Sequence, residues 1–217
     1  MSQIVSVSCF TDALFGENAY VVSASGHDGV WVIDPGLGAQ AEAVCSYVDD
    51  RRARVEAVLL THGHADHIAG VDLLLGRWPG AALLVSREDE HMLTDVRANL
   101  SAPFGFDVRI AARPTGALDP DMELELGDSR WRVLDTSGHS PGGRSFYCPQ
   151  AGLVFTGDAL FAGSIGRTDF PGSDADRLIR NIRTRLFVLP GDTRVYSGHG
   201  PVTTIDKERR HNPYVSG

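Results

Sequence analysis

Leu59-Leu60-Thr61-His62-Gly63-His64-Ala65-Asp66-His67-Ile68-Ala69-Gly70 is the stretch from which the rest of the chain is read. Residues 62 to 67 hold three histidines and one aspartate. Upstream, Val55 to Leu60 is an apolar run with a β-branched start, which predicts a strand. Downstream, Ile68, Val71, Leu74 and Leu75 recur at helical spacing. The cluster is therefore expected in the loop between a strand's C-terminal end and a helix's first turn. If the chain stays extended over His62 and His64, both imidazoles point the same way, because side chains two apart in a strand share a face. Asp66 and His67 follow where the chain begins to turn, so they face a slightly different point. One tight loop of this kind can serve two neighbouring metal ions. A solvated helix start, where Asp is a common cap, accounts for Asp66 but leaves the three histidines unexplained.

The chain has 217 residues, 42% hydrophobic and 22% charged, within the range of an ordinary globular protein. Its formal net charge of −8 argues against a nucleic-acid backbone as partner, while a locally positive metal site could still attract an anionic small molecule. Cys9, Cys45 and Cys148 are scattered and form no Cys-x-x-Cys pair, so they read as buried or free thiols of a reducing compartment. The first residues alternate like a strand and lack a basic leader, and no apolar run approaches a membrane span. The expected location is the cytoplasm, with no membrane partner.

Taken in order, residues 3 to 10, residues 18 to 25 and Val30 to Ile33 read as strands, the third stopped by Asp34-Pro35-Gly36. Asp34 reads equally as a turn residue or as a carboxylate orienting a ligand histidine. Residues 39 to 52 predict a helix with Ala41, Val44, Cys45 and Val48 on one face. After a short strand at Ala81 to Val85, Ser86 is placed to cap a helix, with Asp89 at the capping-box position. Met92, Leu93, Val96 and Leu100 would be that helix's apolar stripe, and His91, among charges, is expected at the surface. Residues 101 to 120, with Pro103, Pro114 and Pro120, read as irregular connection. Strands follow at 122 to 126, 130 to 135, Phe146 to Cys148, Leu153 to Thr156 and Arg194 to Tyr196. Ser173 and Asp176 are expected to begin a helix striped by Leu178, Ile179, Ile182, Leu186 and Phe187.

One pattern repeats along this order. A strand ends, a glycine-flanked turn follows, and His or Asp stands in it: 62 to 67, His139, Asp158 and His199. Five of the eight histidines fall in these turns. Strands and helices alternate in both halves with no linker between, which suggests two βα-rich halves packed sheet on sheet with helices outside. Residues at strand ends along one edge of such a sandwich would converge.

His62-Gly63-His64-Ala65-Asp66-His67, followed by His139, Asp158 and His199, resembles the metallo-β-lactamase superfamily in its two-metal hydrolase form, over essentially the whole chain. The resemblance implies an α/β fold of one domain over residues 1–217. This is an αββα sandwich, two mixed β-sheets with helices on the outer faces. It implies that His62, His64 and His139 hold one metal, that Asp66, His67 and His199 hold a second, and that Asp158 bridges them. The implied cofactors are two divalent ions, zinc first, with iron or manganese as alternatives. Asp66 and Asp158 would be the catalytic carboxylates, offsetting the metal charge and setting the spacing.

Within the superfamily, Thr61 to His67, Ser137-Gly138-His139-Ser140-Pro141-Gly142 and Thr156-Gly157-Asp158-Ala159-Leu160-Phe161 look like glyoxalase II, the hydroxyacylglutathione hydrolases. The run from Gly163 to Gly172, the run from Gly198 to Thr204, Glu208-Arg209 and Asn212-Pro213-Tyr214 look like its short bacterial branch. Full-length glyoxalase II has a C-terminal helical domain that helps bind glutathione, and none is expected in a sequence ending at Gly217. The aromatic residue that family places two positions after the basic residue is Asp169 here. The implied activity is hydrolysis of a thioester, an S-acylglutathione such as S-lactoylglutathione, by a hydroxide shared between the two ions. Arg167 reads either as a fork for a substrate carboxylate or as a structural arginine bonding loop carbonyls. Tyr147 and Tyr214 read either as pocket lining or, the preferred expectation, as packing residues.

The Gly-Arg-Thr-Asp-Phe run is also similar to persulfide dioxygenases, which hold one iron through residues matching His62, His139 and Asp158. Lactonase or nuclease chemistry, and a metal- or partner-binding module without catalysis, are further readings. The complete set of ligand-type residues argues against the module, and the acidic balance argues against a nuclease.

Overall fold

A computed structural model of the chain describes residues 4–215. The strand expected at 3 to 10 therefore starts outside the described residues. The first half contributes β1 (Val5–Thr11), β2 (Asn18–Ala24), β3 (Gly29–Ile33), β4 (Arg54–Leu59), β5 (Ala82–Val85) and β6 (Gly116–Ala117), which form one sheet in that order. β1 to β3 are antiparallel, and β3 to β6 are parallel. Every residue of β3 is buried, so the sheet needs cover on both faces. Alternation assigns the faces: Val30 and Val32 turn outward, and Trp31 and Ile33 turn inward. Opposite them the register skips Glu56, so Val55 and Ala57 lie on different sides of the sheet.

The outer face is covered by α1 (Gly38–Asp50), the single turn α2 (Ala65–Ile68) and α3 (Val71–Arg77). Val44, Cys45, Val48, Val71 and Leu74 pack there against Val21, Val32, Val58 and Leu83. The helix expected from Ile68 onward is broken at Ala69-Gly70. Gly70 lies so close to α1 that a Cβ on it would stand 2.6 Å from the Ala41 methyl and 2.8 Å from the Pro35 carbonyl.

The second half builds β7 (Glu123–Leu126), β8 (Ser129–Asp135), β9 (Arg144–Cys148), β10 (Leu153–Gly157), the small hairpin β11 (Leu160–Phe161) and β12 (Ser164–Ile165), β13 (Arg194–Ser197) and β14 (Thr203–Thr204). The second sheet runs β14-β13-β10-β9-β8-β7, with β10 and β13 parallel. Its inner face meets the first sheet in a core of Trp31, Ile33, Leu59, Trp131, Val133, Phe146 and Phe155. Burying each such side chain stabilises the fold by ~1.5–3 kcal/mol. Its outer face, through Leu134, Tyr147, Val154 and Val195, packs on Leu178, Ile182, Leu186 and Ile205. These belong to α4 (Ala175–Asn181), the wider turn that continues it over Ile182–Leu186, and α5 (Ile205–His211). The order is helix, sheet, sheet, helix, the expected αββα sandwich. None of the helices among the described residues is long and apolar enough to cross a membrane.

Two helix expectations need correction. Residues 86 to 100 hold only a 3₁₀ turn, Glu90–Leu93, flanked by isolated turns. Asp95 there accepts from the Arg97 and Ala98 amides, and the Asn99 amide group donates to the Met92 and Val108 carbonyls. Such side-chain bonds give the backbone an alternative to the helical ladder. Met92, Leu93 and Leu100 are buried all the same, and His91 is exposed. For α4, the N-cap is Asp174, whose carboxylate accepts from the Arg177 amide at 2.9 Å.

Both sheets end their strands at one edge. β3 and β4 run in the same direction, and so do β8, β10 and β13. Their C-terminal turns carry Asp34, residues 61 to 67, residues 136 to 139, Asp158 and His199.

Candidate metal centre

At the end of β4, Thr61 donates through its amide to Asp34 Oδ1 at 2.8 Å and through its hydroxyl to Oδ2 at 2.6 Å. His67 Nδ1 donates to the same Oδ2 at 2.9 Å. Asp34 itself sits in the left-handed region, with φ 49°. Both readings of Asp34 therefore hold: it turns the chain after β3 and it fixes a histidine. The other rings are fixed in the same way. His139 Nδ1 donates to the Arg167 carbonyl at 2.7 Å, His199 Nδ1 to the Phe15 carbonyl at 3.2 Å, and His62 Nδ1 stands 3.1 Å from the Thr61 hydroxyl. Each of these four rings is left with Nε2 facing the interior of the site. His64 presents Nδ1 instead, 2.9 Å from His139 Nε2.

The inward atoms gather in two groups. Those of His62, His64 and His139 lie within 4.8 Å of one another, as do those of Asp66, His67 and His199. Asp158 stands between the groups. Its Oδ1 is 3.4 Å from His67 Nε2, and its Oδ2 is 3.4 Å from His139 Nε2 and 3.6 Å from His199 Nε2. Asp34 with His62 and His67 also satisfies the 4.8 Å spacing. The Asp34 oxygens, however, already accept three hydrogen bonds, so Asp34 is better placed to orient His67 than to hold an ion.

The residues fit a bound cation. His62 Nε2, His67 Nε2 and Asp158 Oδ1 are buried without a hydrogen-bond partner. Such atoms are costly unless something satisfies them, and one ion can serve several at once. The donor set of imidazole nitrogen and carboxylate oxygen suits zinc, iron or manganese. Burial, with the neighbouring His67, pushes His62 well below its ordinary range. Burial, with His139 beside it, brings His64 down to about 3. Both rings are thereby held neutral, the form that binds metal. Burial alone would raise Asp66 and Asp158, but His67 and His199 together outweigh it at Asp66, and His67, His139 and His199 together do so at Asp158, holding Asp66 below and Asp158 well below the usual carboxylate range. Burial would lower His67, yet Asp66, Asp158 and Asp34 together hold it well above its ordinary value. The field at this point favours positive charge.

Two buried carboxylates bear on the site in ways the sequence did not reveal: Glu17 carried no signal, and Asp89 was read only as part of a helix cap. Glu17 is fully buried, with Oε1 3.7 Å from His67 Nδ1 and Oε2 accepting from Gln40 Nε2 at 2.7 Å. Burial pushes its carboxyl well above the ordinary range. Asp89 accepts from the Gly63 amide at 3.2 Å, the Ser140 hydroxyl at 2.7 Å and the Gly142 amide at 2.7 Å. It thus links the turn of His62 and His64 to the turn of His139. Ser173 adds a further tie, donating to the His139 carbonyl at 2.7 Å.

A cavity of about 360 Å³ opens over both groups. Arg167 lies at its rim, 63% exposed, forked onto Asp169 at 2.9 and 2.7 Å and resting 4.4 Å above the Phe170 ring. It is the Arg167 carbonyl, not the guanidinium, that bonds the site. Tyr147 packs in the outer core, and Tyr214 is exposed; neither lines this cavity.

Residues 13–199 match the family described as the Metallo-beta-lactamase superfamily. The chain is 35% identical over 201 residues to the probable metallo-hydrolase YqgX of Bacillus subtilis (strain 168), covering 92% of each protein. It is 36% identical over 186 residues to the hydroxyacylglutathione hydrolase GloC of Haemophilus influenzae, covering 85% of this chain and 86% of the relative. Among solved structures it is similar to BLEG-1 B3 metallo-beta-lactamase, with TM-score 0.92, 34% identity and coverage of 98% and 100%. It is similar to the di-iron-bound form of TTHA1623, with TM-score 0.85, 35% identity and coverage of 96% and 100%. ETHE1 from Myxococcus xanthus follows, with TM-score 0.79, 29% identity and coverage of 98% and 85%. The matched span takes in every histidine and aspartate of the two groups, and the sandwich around them is the one these proteins share: the chain belongs to the metallo-β-lactamase superfamily.

Proposed function

We propose that the chain is a metal-dependent hydrolase of thioesters, with S-acylglutathione as the substrate class and S-lactoylglutathione as its reference member. The observation that carries this reading is the pair of ligand groups with Asp158 between them, beneath a cavity whose described lining holds no tyrosine, lysine or cysteine. His62, His64 and His139 would hold one divalent ion, and Asp66, His67 and His199 a second, with Asp158 shared. Ions bound there, zinc, iron or manganese, would supply a water-derived nucleophile near neutral pH and stabilise the negative charge that develops on the carbonyl oxygen. Asp66 and Asp158, both held ionised, offset the ionic charge.

The leaving group decides the class. In hydrolysis a C–O bond forms from water, the C–S bond breaks, and the electron pair leaves on sulfur. A thiolate departs without prior protonation because its thiol pKa is about 8.5. An amide nitrogen must be protonated first. Among the described residues the cavity is lined by no tyrosine, lysine or cysteine, its two aspartates are held below the usual carboxylate range, and its three histidines, His64, His139 and His199, are the ones this reading gives to the ions. Similarity to GloC supports a glutathione thioester, and the di-iron form of TTHA1623 supports iron beside zinc as the metal. Arg167 is the residue we assign to a remote carboxylate of the substrate.

The competing reading, a single iron held by His62, His139 and Asp158 for persulfide oxidation, leaves the second group of three without a role. An anaerobic assay separates the two. Thiol release from S-lactoylglutathione by zinc- or iron-loaded protein supports the hydrolase. Oxygen uptake with glutathione persulfide, and no thioester cleavage with any metal, contradicts it.

A further inference from the structure

The cavity above the two groups is walled by phenylalanine. Phe15 meets Phe104 and Phe106 edge-on, with ring centroids 6.0 Å apart in each pair. Phe170 stands 5.8 Å from the His64 ring and 6.2 Å from the His139 ring. Phe104 is 53% exposed and Phe106 42%, so both keep apolar surface in water until a ligand covers it. The loop that carries them is anchored at each end: Asn99 holds the Met92 and Val108 carbonyls, and the Ser101 hydroxyl bonds Asn99 Oδ1. The rings are therefore presented by an ordered support.

The polar lining is already engaged. Asn99 and Ser101 spend their side chains on this loop, and the Ser164 hydroxyl donates to the Ile165 carbonyl at 3.4 Å. Arg167 is the single Lys or Arg of the described lining, and Asp169 is paired with it. A hydroxylated acyl group placed against these phenylalanines would lose water and gain little in return, since the one guanidinium is paired with Asp169 and is assigned above to a remote carboxylate, and that loss is unfavourable. An apolar group would lose nothing and cover the exposed rings.

We infer that the acyl group selected by this site is apolar, so that aromatic or branched aliphatic acyl thioesters are preferred over small hydroxylated ones such as lactoyl. The selectivity is read from the cavity; the reaction on which it acts rests on the thioester reading above.

The test uses one thiol and a graded acyl series: S-lactoyl-, S-acetyl-, S-butyryl-, S-hexanoyl- and S-phenylacetylglutathione with metal-loaded protein. In parallel, S-alkyl- and S-benzylglutathione thioethers, which cannot be hydrolysed, are titrated by calorimetry. Specificity and affinity are expected to rise about fourfold per added methylene. The ratio of phenylacetyl to lactoyl turnover should fall severalfold in Phe104→Ala and in Phe106→Ala, both of which remove a partly exposed ring without opening the core. A flat or falling series in both measurements overturns the inference, and lactoyl turnover in the same experiment leaves the thioester reading standing. Affinity that rises along the thioethers while no thioester is cleaved supports the apolar site and contradicts the hydrolase.

Discussion

At the scale of single residues, Asp34 and Arg167 meet different demands. Asp34 touches no substrate, yet His67 Nδ1 and both Thr61 donors end on its carboxylate. Asp34→Asn keeps the size and tolerates the left-handed backbone, but one oxygen cannot replace two. Metal affinity, measured by competition with a chromophoric chelator, should fall about 10- to 100-fold. An unchanged affinity with an intact fold would show that His67 needs no such partner. Arg167→Ala should raise KM about threefold to tenfold with kcat nearly unchanged, because a remote carboxylate is held similarly in ground and transition states. The effect is modest because Asp169 already pairs with the guanidinium at an exposed site. Full activity at unchanged KM would remove Arg167 from substrate recognition. The seven clustered histidines and aspartates were legible in the sequence because each follows a strand and a glycine marks each turn. Glu17 and Asp89 were not. Their partners, His67 and Gln40 for one and Gly63, Ser140 and Gly142 for the other, are far away along the chain.

At the scale of elements, the site is a set of turns, and what holds the turns to one another matters as much as the strands that deliver them. Asp89 joins two of them. Asp89→Ala would leave the Gly63 amide, the Ser140 hydroxyl and the Gly142 amide buried without that acceptor. The expected loss of stability is ~2–4 kcal/mol, read from urea unfolding. A loss below ~0.5 kcal/mol, the range of an ordinary surface change, would show that these donors find other partners. The strands were readable from period-two alternation and β-branched content, and α1 from its apolar face. Residues 86 to 100 misled because helical spacing of Met92, Leu93, Val96 and Leu100 also suits a coiled loop that buries most of the same side chains. Asp95 and Asn99 turn the balance through bonds to nearby backbone. The break at Gly70 was hidden for another reason, since only the approach of α1 makes that glycine necessary.

For the whole molecule, two sheets meet face to face, and the edge where their strands end gathers positive and negative groups from both. The fold order could be read from the alternation of strands and helices; the pairing of β10 with β13, across some forty intervening residues, could not. Because the ligand-type residues come from both sheets, a bound ion ties the halves together and stabilises only the folded chain. Stripping the metal with a chelator should lower Tm by about 5–10 °C, the shift expected for ligand at about 100 times its Kd in a chain of this size. A Tm indifferent to chelation and to added zinc would mean that the groups hold no ion. The proposal that seven residues form two ion sites sharing Asp158 is open to a sharper test. Native mass spectrometry of the metal-loaded protein tests it most directly. Two divalent ions per chain are expected, with both lost or weakened in Asp158→Ala. One tightly held ion per chain, unchanged by excess metal and retained in that variant, would contradict it.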